Sequence, residues 1–284
     1  MKLLAINKSL SGFFACVLML GGISQANACI NSYVFDLGKK PDRTYIRQQL
    51  KVSHAKQHKS LEELNDYGVL LIYDGQYKKA IDLFQTLEKS HPGLAKTAAN
   101  LGTAYELDDQ AEQAKYWIIQ GMQRDPNIHQ GSEWIHVLIL DAQVQQRKNP
   151  KWIQSHDVLS LDFGEKPKPI AKIKAAHFNE QTFDLTTVLE HGKIQMAQRL
   201  MFVEHDPITA QIVFNMANIE VILYNTEEDA AQNLFMKSRD LGYLNPALIE
   251  ARHQYINSSK WYAFKSFFAG IARQIRVIIQ YLMA

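Results

Sequence analysis

Apolar positions in this chain recur mostly at three- and four-residue steps, the spacing that lines one stripe of a helix. Leu64, Tyr67 and Leu71 make one such stripe, and Phe84 lies on the helix that follows. From Phe183 the pattern returns, and Leu185, Val188, Leu189, Ile194, Met196, Leu200 and Val203 predict one helix with apolar faces. Asp206-Pro207 opens the next, with Asp as cap and Pro in the first turn, running through Ile212, Met216, Ile219 and Leu223. Glu227 to Leu241 predicts a third, through Ala230, Ala231, Leu234 and Phe235, with Gly242 as its stop. Asn245-Pro246 opens a fourth through Leu248 and Tyr255. From Trp261 a last stripe runs Phe264, Phe268, Ile271, Ile275, Ile279 and Leu282, with Lys265, Arg273 and Arg276 on another side. The pattern leaves one stretch undecided: Val158 to Phe163 could pack on the helices or make a short strand. The expected class is all-α.

A second regularity is self-similarity at a 34-residue period. With residues 61–94 set under 95–128, Gly68 falls on Gly102, Ala80 on Ala114 and Pro92 on Pro126. Tyr67 falls on Leu101, Leu71 on Tyr105, Phe84 on Ile118 and Leu64 on Ala98, while the turn positions hold Gly75 and Asp109. A helix-interior Gly costs roughly 1 kcal/mol relative to Ala, so Gly68 and Gly102 are expected where a neighbouring helix approaches closely. Ala80 and Ala114 are the small residues that permit the approach. Pro92 and Pro126 end the second helix of each unit because proline lacks the amide proton and clashes with the preceding turn. Ser60 followed by Glu63 reads as a capping box. These residues resemble the tetratricopeptide-repeat (TPR) family, a helix-turn-helix unit that stacks into a solenoid.

The resemblance is strong over 61–94 and 95–128 and then weakens. A third unit has a plausible first helix through Trp134, Val137, Leu138 and Ala142, but His136 stands where the family has a small residue, and Asn149-Pro150 ends the second helix before it starts. The TPR region is therefore 60–147, preceded by an arm and a basic helix (29–59, with Arg43, Arg47, Lys51, Lys56 and Lys59 read as a solvated face). Residues 148–178, with Gly164, Pro167 and Pro169, read as a linker. Residues 179–258 read as a degenerate TPR-like helical region, and 259–284 as a basic amphipathic C-terminal helix.

Composition changes the picture mainly at the N-terminus. Lys2 and Lys8, the apolar run Leu10 to Ile23 and Ala26-Asn27-Ala28 have the layout of a signal peptide over residues 1–28, cleaved after Ala28. The run is short of the ~20 residues a spanning helix needs. Export, to a periplasm in a bacterium-like cell, follows. Cys29 would then be the first residue and the sole thiol, and its lipidation is the alternative to plain cleavage; Asn27 fits a lipobox poorly. Residues 1–28 hold two lysines and no acid, so the rest carries 29 basic and 29 acidic residues. That balance gives no electrostatic case for nucleic acid.

Candidate chemistry is sparse. His54 and His58 are four apart, but no third ligand is near, and a solvated helix explains them. Glu133 and His136 have the Glu-x-x-His spacing of di-iron bundles, which need a second such pair and two more carboxylates brought to the same place; a core histidine is the better reading. No Walker loop, nucleophile elbow or Cys-x-x-Cys occurs. No cofactor is expected, and the chain reads as a non-catalytic scaffold, with an enzyme on a helical scaffold that lacks a local motif as an alternative. What the TPR resemblance implies is a concave groove, lined by the first helix of each unit, that receives a protein or peptide partner. Carried over position by position, the groove holds Asn65, Val69, Ile72 and Tyr73; Lys96, Ala99, Asn100, Thr103 and Glu106; and Glu133 and Val137. These are expected to face solvent. Asn65 and Val69 stand where a carboxylate clamp of this family has Lys and Asn, so that clamp is not expected. The C-terminal helix offers two further expectations: it caps the last hairpin, or it makes peripheral contact with an anionic membrane.

Overall fold

The computed structural model describes residues 42–224 and 230–260, with Phe264, Phe267 and Phe268. The expected signal peptide, Cys29, the N-terminal arm and nearly all of the C-terminal amphipathic helix lie outside these residues. Within them helix predominates, at about 70%, and strand is confined to two short segments. The helices are α1 (Arg43–Ala55), α2 (Leu61–Tyr73), α3 (Tyr77–Ser90), α4 (Ala95–Leu107), α5 (Ala111–Arg124), α6 (Glu133–Lys148), α7 (Leu185–Arg199), α8 (Pro207–Tyr224), α9 (Ala230–Asp240) and α10 (246–260). Each of α1 to α6 packs on the next, and α4 also touches α2, so the first helices of neighbouring hairpins lie side by side.

Local chemistry sets the boundaries. Ser60 and Glu63 form a reciprocal capping box at the head of α2, which satisfies two otherwise orphaned amide protons. Gly75 and Asp109, 34 residues apart, both take positive φ (79° and 64°) in the turns that close the two hairpins. Asp184 caps α7 by accepting from the Thr187 N–H, and Asp206 caps α8 by accepting from the Ile208 and Thr209 N–H groups. The 34-residue offset recurs in the packing. A Cβ on Gly68 would overlap the Phe84 ring, and one on Gly102 would sit 2.7 Å from Ile118 Cδ1. Ala80 and Ala114 are wholly buried.

Two apolar cores result. One joins α1 to α6 through Ile46, Ile72, Phe84, Leu101 and Ile118, and includes Met201 from beyond α7. The other gathers α6 to α10 around Trp134, Val188, Ile212, Phe235 and Ile256. Met122 and Phe178 pack against both.

Residues 148–184 differ from a plain linker. Val158, Leu159, Leu161 and Phe163 are buried in the second core without forming a strand. Asp157 holds that segment by accepting from the Leu159 and Leu161 N–H groups and from Asn215. Strands β1 (Ala175–Phe178) and β2 (Gln181–Asp184) then form an antiparallel hairpin with Ala176 opposite Phe183, where a linker running into helix was expected. Asn179 turns it at φ 53°. The helix expected to reach Val203 stops at Arg199, and Met201 and Phe202 in the turn that follows pack onto the repeat half.

Candidate functional site

The expected groove residues do come together on one side of α2, α4 and α6, but they are not a solvent face. Asn65, Val69, Ile72, Tyr73, Ala99, Asn100, Glu133 and Val137 are buried, and only Lys96, Thr103 and Glu106 retain partial exposure. The correction has a visible cause in the turn after α7. The Phe202 ring lies 5.4 Å from that of Tyr73, the Tyr73 hydroxyl donates to Met201 Sδ at 3.9 Å, and Arg199 reaches Glu106. Asn65 ties α2 to α4, donating to Leu61 O and accepting from Thr97 Oγ1. Thr103 Oγ1 is turned back to Ala99 O. Lys96 Nζ lies 3.9 Å from Glu62. Asn100 is 1% exposed, and neither its amide nitrogen nor its amide oxygen has a hydrogen-bond partner.

The densest chemistry sits where α4, α6 and α7 meet. Before α6 the backbone makes a left-handed turn: His129 (φ 48°, ψ 40°), Gln130 (57°, 31°) and Gly131 (φ 74°). Only the last is glycine, and left-handed backbone costs roughly 1–2 kcal/mol at each of the other two. Ser132 Oγ donates to His129 O, and Gln195 from α7 donates to Ser132 Oγ, which holds the turn. The turn aims His129 Nδ1 at Glu133 Oε1. Glu133 Oε2 accepts from His136 Nδ1 at 3.1 Å, and His136 Nε2 donates to Glu106 Oε2 at 2.7 Å. Glu106 Oε1 accepts from Gln143 and from Arg199 Nη1. Arg199 Nε donates to Thr209 Oγ1, and Nη2 lies 3.5 Å from Asp206 Oδ2. The result is a chain of alternating charge from the α8 cap to the turn before α6.

Both ring nitrogens of His136 face carboxylate oxygens, which only accept, so the ring must carry two protons. Burial opposes that charge, but Glu106 and Glu133 outweigh it and hold the imidazolium up to about 9. Burial likewise opposes ionisation of Glu106, and Arg199 and His136 outweigh it, holding the carboxyl well below its ordinary range. Glu133 is held low in the same way by His129 and His136. The expectation of a core histidine at His136 therefore meets a buried, charged one.

Of the groups in this chain, Glu106, Glu133 and His136 were legible in the sequence. His129 was missed, although His-x3-Glu-x2-His places all three side chains near one helix start. Gln195 and Arg199 come from far along the chain and carry no local signal, and Asp206 was legible only as a helix cap. Among the described residues no group of three or more His, Cys, Asp or Glu side chains is arranged to hold a metal ion. Nor, among those residues, is any helix long and apolar enough to cross a membrane.

A larger cavity, of about 590 Å³, opens between α8, the start of α10 and residues 153–165. Two of its polar side chains are engaged within the chain: Gln211 bridges the Val158 N–H and His156 O, and Asn215 donates to Asp157. In comparisons with known proteins, no family model matches this chain and no curated protein matches it.

Proposed function

We propose that this protein is an exported, non-catalytic TPR scaffold that binds a protein or peptide partner on the concave side of its repeats. One observation carries the reading: the contacts recur at the period of the sequence. Gly68 against Phe84 and Gly102 against Ile118 are the same close approach 34 residues apart, as are the left-handed turns at Gly75 and Asp109. The helical hairpins of the second half, α7–α8 and α9–α10, are read as degenerate units that extend the solenoid. The partner-facing part of the groove is the strip left partly exposed at Lys96 and Thr103, next to the turn after α7. Export rests on the layout of residues 1–28.

The test is capture of partners by cross-linking in intact cells, with membrane and soluble fractions kept apart. Lys96→Glu combined with Thr103→Arg should cut the yield of cross-linked partner at least severalfold, while Lys78→Glu on the exposed start of α3 should not. Equal yields from all three chains would remove the concave face as the binding surface.

A second reading is an envelope assembly factor held to the bilayer by its C-terminal helix. It is favoured by Phe264, Phe267 and Phe268, which are half or more exposed in a stretch, 260–284, that contains no acid. Such a segment suits the interface of an anionic bilayer. Partners recovered only from the membrane fraction, and lost with residues 260–284, would favour it.

A further inference from the structure

The loop before the β-hairpin has an unusual composition: Lys166-Pro167-Lys168-Pro169-Ile170-Ala171-Lys172-Ile173-Lys174. Loops are commonly built of Gly, Asn, Asp and Ser as well as Pro. This one has none of those four, and after Glu165 the next acid is Glu180. All four lysines are exposed, and so are Ile170 (58%) and Ile173 (43%). Lys172 Nζ lies 3.1 Å from Asp162 Oδ2. Lys166, Lys168 and Lys174 make no hydrogen bond or ion pair among the described residues.

The loop is fixed at its root. The Ile170 N–H donates to Phe163 O at 3.1 Å, and the Lys172 N–H donates to Asp162 O at 2.8 Å. Asp162 Oδ1 accepts from the Gly164 N–H at 2.7 Å. From the inside, the wholly buried Arg252 of α10 donates through Nη2 to Phe163 O and Gly164 O. It meets no carboxylate among the described residues, and its guanidinium carbon lies 4.8 Å over the Phe214 ring. Burial pulls the guanidinium down to about 10, so a cation that the interior disfavours is kept there with two of its bonds on this root. The backbone is also suited to leaving water. Pro167 and Pro169 have no amide proton, and Ile170, Lys172 and Ile173 donate to Phe163 O and Asp162 O. Two and three make five of the seven backbone nitrogens of 167–173 that need nothing from solvent. Unpaired amides are what make irregular backbone costly beside lipid.

Exposed lysines fit an anionic partner, and the rest of the loop selects which. Residues 166–174 hold no arginine to fork a phosphate and no aromatic ring to stack on a base, which disfavours nucleic acid. An acidic protein would use the lysines and leave the isoleucines without a role. An anionic bilayer uses both: aliphatic side chains enter below the headgroups while lysine stems reach up to the phosphates. We infer that residues 166–174 are a contact loop for an anionic bilayer surface, with Ile170 and Ile173 entering the boundary between headgroups and acyl chains and Lys166, Lys168 and Lys174 binding lipid phosphates. This surface is separate in sequence from the concave strip and from the C-terminal helix, so it rests on neither reading of function.

The test takes the protein as its native cell processes it and measures sedimentation with vesicles of phosphatidylcholine, alone or with about 30% phosphatidylglycerol. The parent should bind the anionic vesicles and bind them less as salt is raised. Each lysine near such a surface is worth about fivefold in binding, so Lys166→Glu, Lys168→Glu and Lys174→Glu together should weaken it about a hundredfold. Ile170→Ser with Ile173→Ser should weaken it about tenfold or more. These side chains are exposed, so thermal melts should match the parent; Ile170→Ser alone, at the more exposed position, replaces the pair if the pair melts lower. Phe267→Ser with Phe268→Ser is the control for the C-terminal helix. Binding lost in both loop variants supports the loop, whatever the helix variant does. Binding kept in both loop variants and lost in the helix variant would overturn the loop and favour the helix. A parent that ignores anionic vesicles would overturn it too, as would binding that depends on the lysines but not on the isoleucines. So would loop variants that bind vesicles like the parent but no longer cross-link to an acidic protein. The groove variants Lys96→Glu and Thr103→Arg leave the loop intact, so the groove and the loop fail separately.

Discussion

At the scale of single residues, the charge on buried His136 changes within reach of ordinary buffers. Its folded value, about 9, lies above the 6.5 of a free histidine. The stability it supplies is therefore full below pH 6.5 and is lost as pH rises through 9. Glu106 and Glu133 are shifted down, so their contribution is present above the ordinary 4.5 and is lost as pH falls below it. Thermal melts should be highest between about pH 5 and 6.5 and decline on both sides. His136→Gln should cost on the order of 3–5 kcal/mol near pH 6, since it leaves two buried carboxylates short of a cation, and should flatten the alkaline limb. An alkaline decline unchanged in the variant would mean that His136 is not charged in the fold. Part of this network was open to reading from sequence because Glu133 and His136 lie three residues apart. The rest was not, because Arg199 meets Glu106 across 93 residues and no local pattern marks such a pair.

At the scale of elements, the paired hairpins depend on small residues at the crossing of their helices. Ala80→Leu or Ala114→Leu should cost on the order of 1–3 kcal/mol by overpacking a site with no free volume. Leu at exposed Lys78 or Lys79 should cost little, and thermal melts compare the four. Equal losses at all positions would contradict the 34-residue register. Tyr73 and Glu106, expected from sequence to face solvent, are instead bound to the turn after α7 and to the last residue of α7. The repeat helices were legible because Gly68, Ala80 and Pro92 each state a steric requirement at a fixed offset. The β-hairpin was not: Ala175–Asp184 is ten residues long, carries little alternation, and turns at Asn-Glu where Asn-Gly would have signalled a hairpin. Val158 to Phe163 stayed ambiguous for a related reason. Tertiary burial without strand pairing leaves the same apolar run that a buried strand would.

At the scale of the whole molecule, the expectation most readily checked is processing. Intact-mass measurement on protein from its native cell should give a chain beginning at Cys29, and a mass that includes Met1 would defeat export. A diacylglycerol on Cys29 would establish the lipoprotein form. The two apolar cores share Met122 and Phe178, and the charge chain from Asp206 to His129 crosses between them. A consequence follows from the contact between Tyr73 and Met201, which are 128 residues apart. A chain is made from its N-terminus, and its early parts collapse as they emerge. The repeat half, complete in its helices by residue 148, must wait for about another fifty residues before Arg199, Met201 and Phe202 arrive to cover its inner face. Throughout that interval the nascent protein carries an uncovered apolar strip and a Glu106 carboxylate without its arginine. Any helper that escorts this chain has its clearest handle there, on a surface that the finished molecule no longer displays.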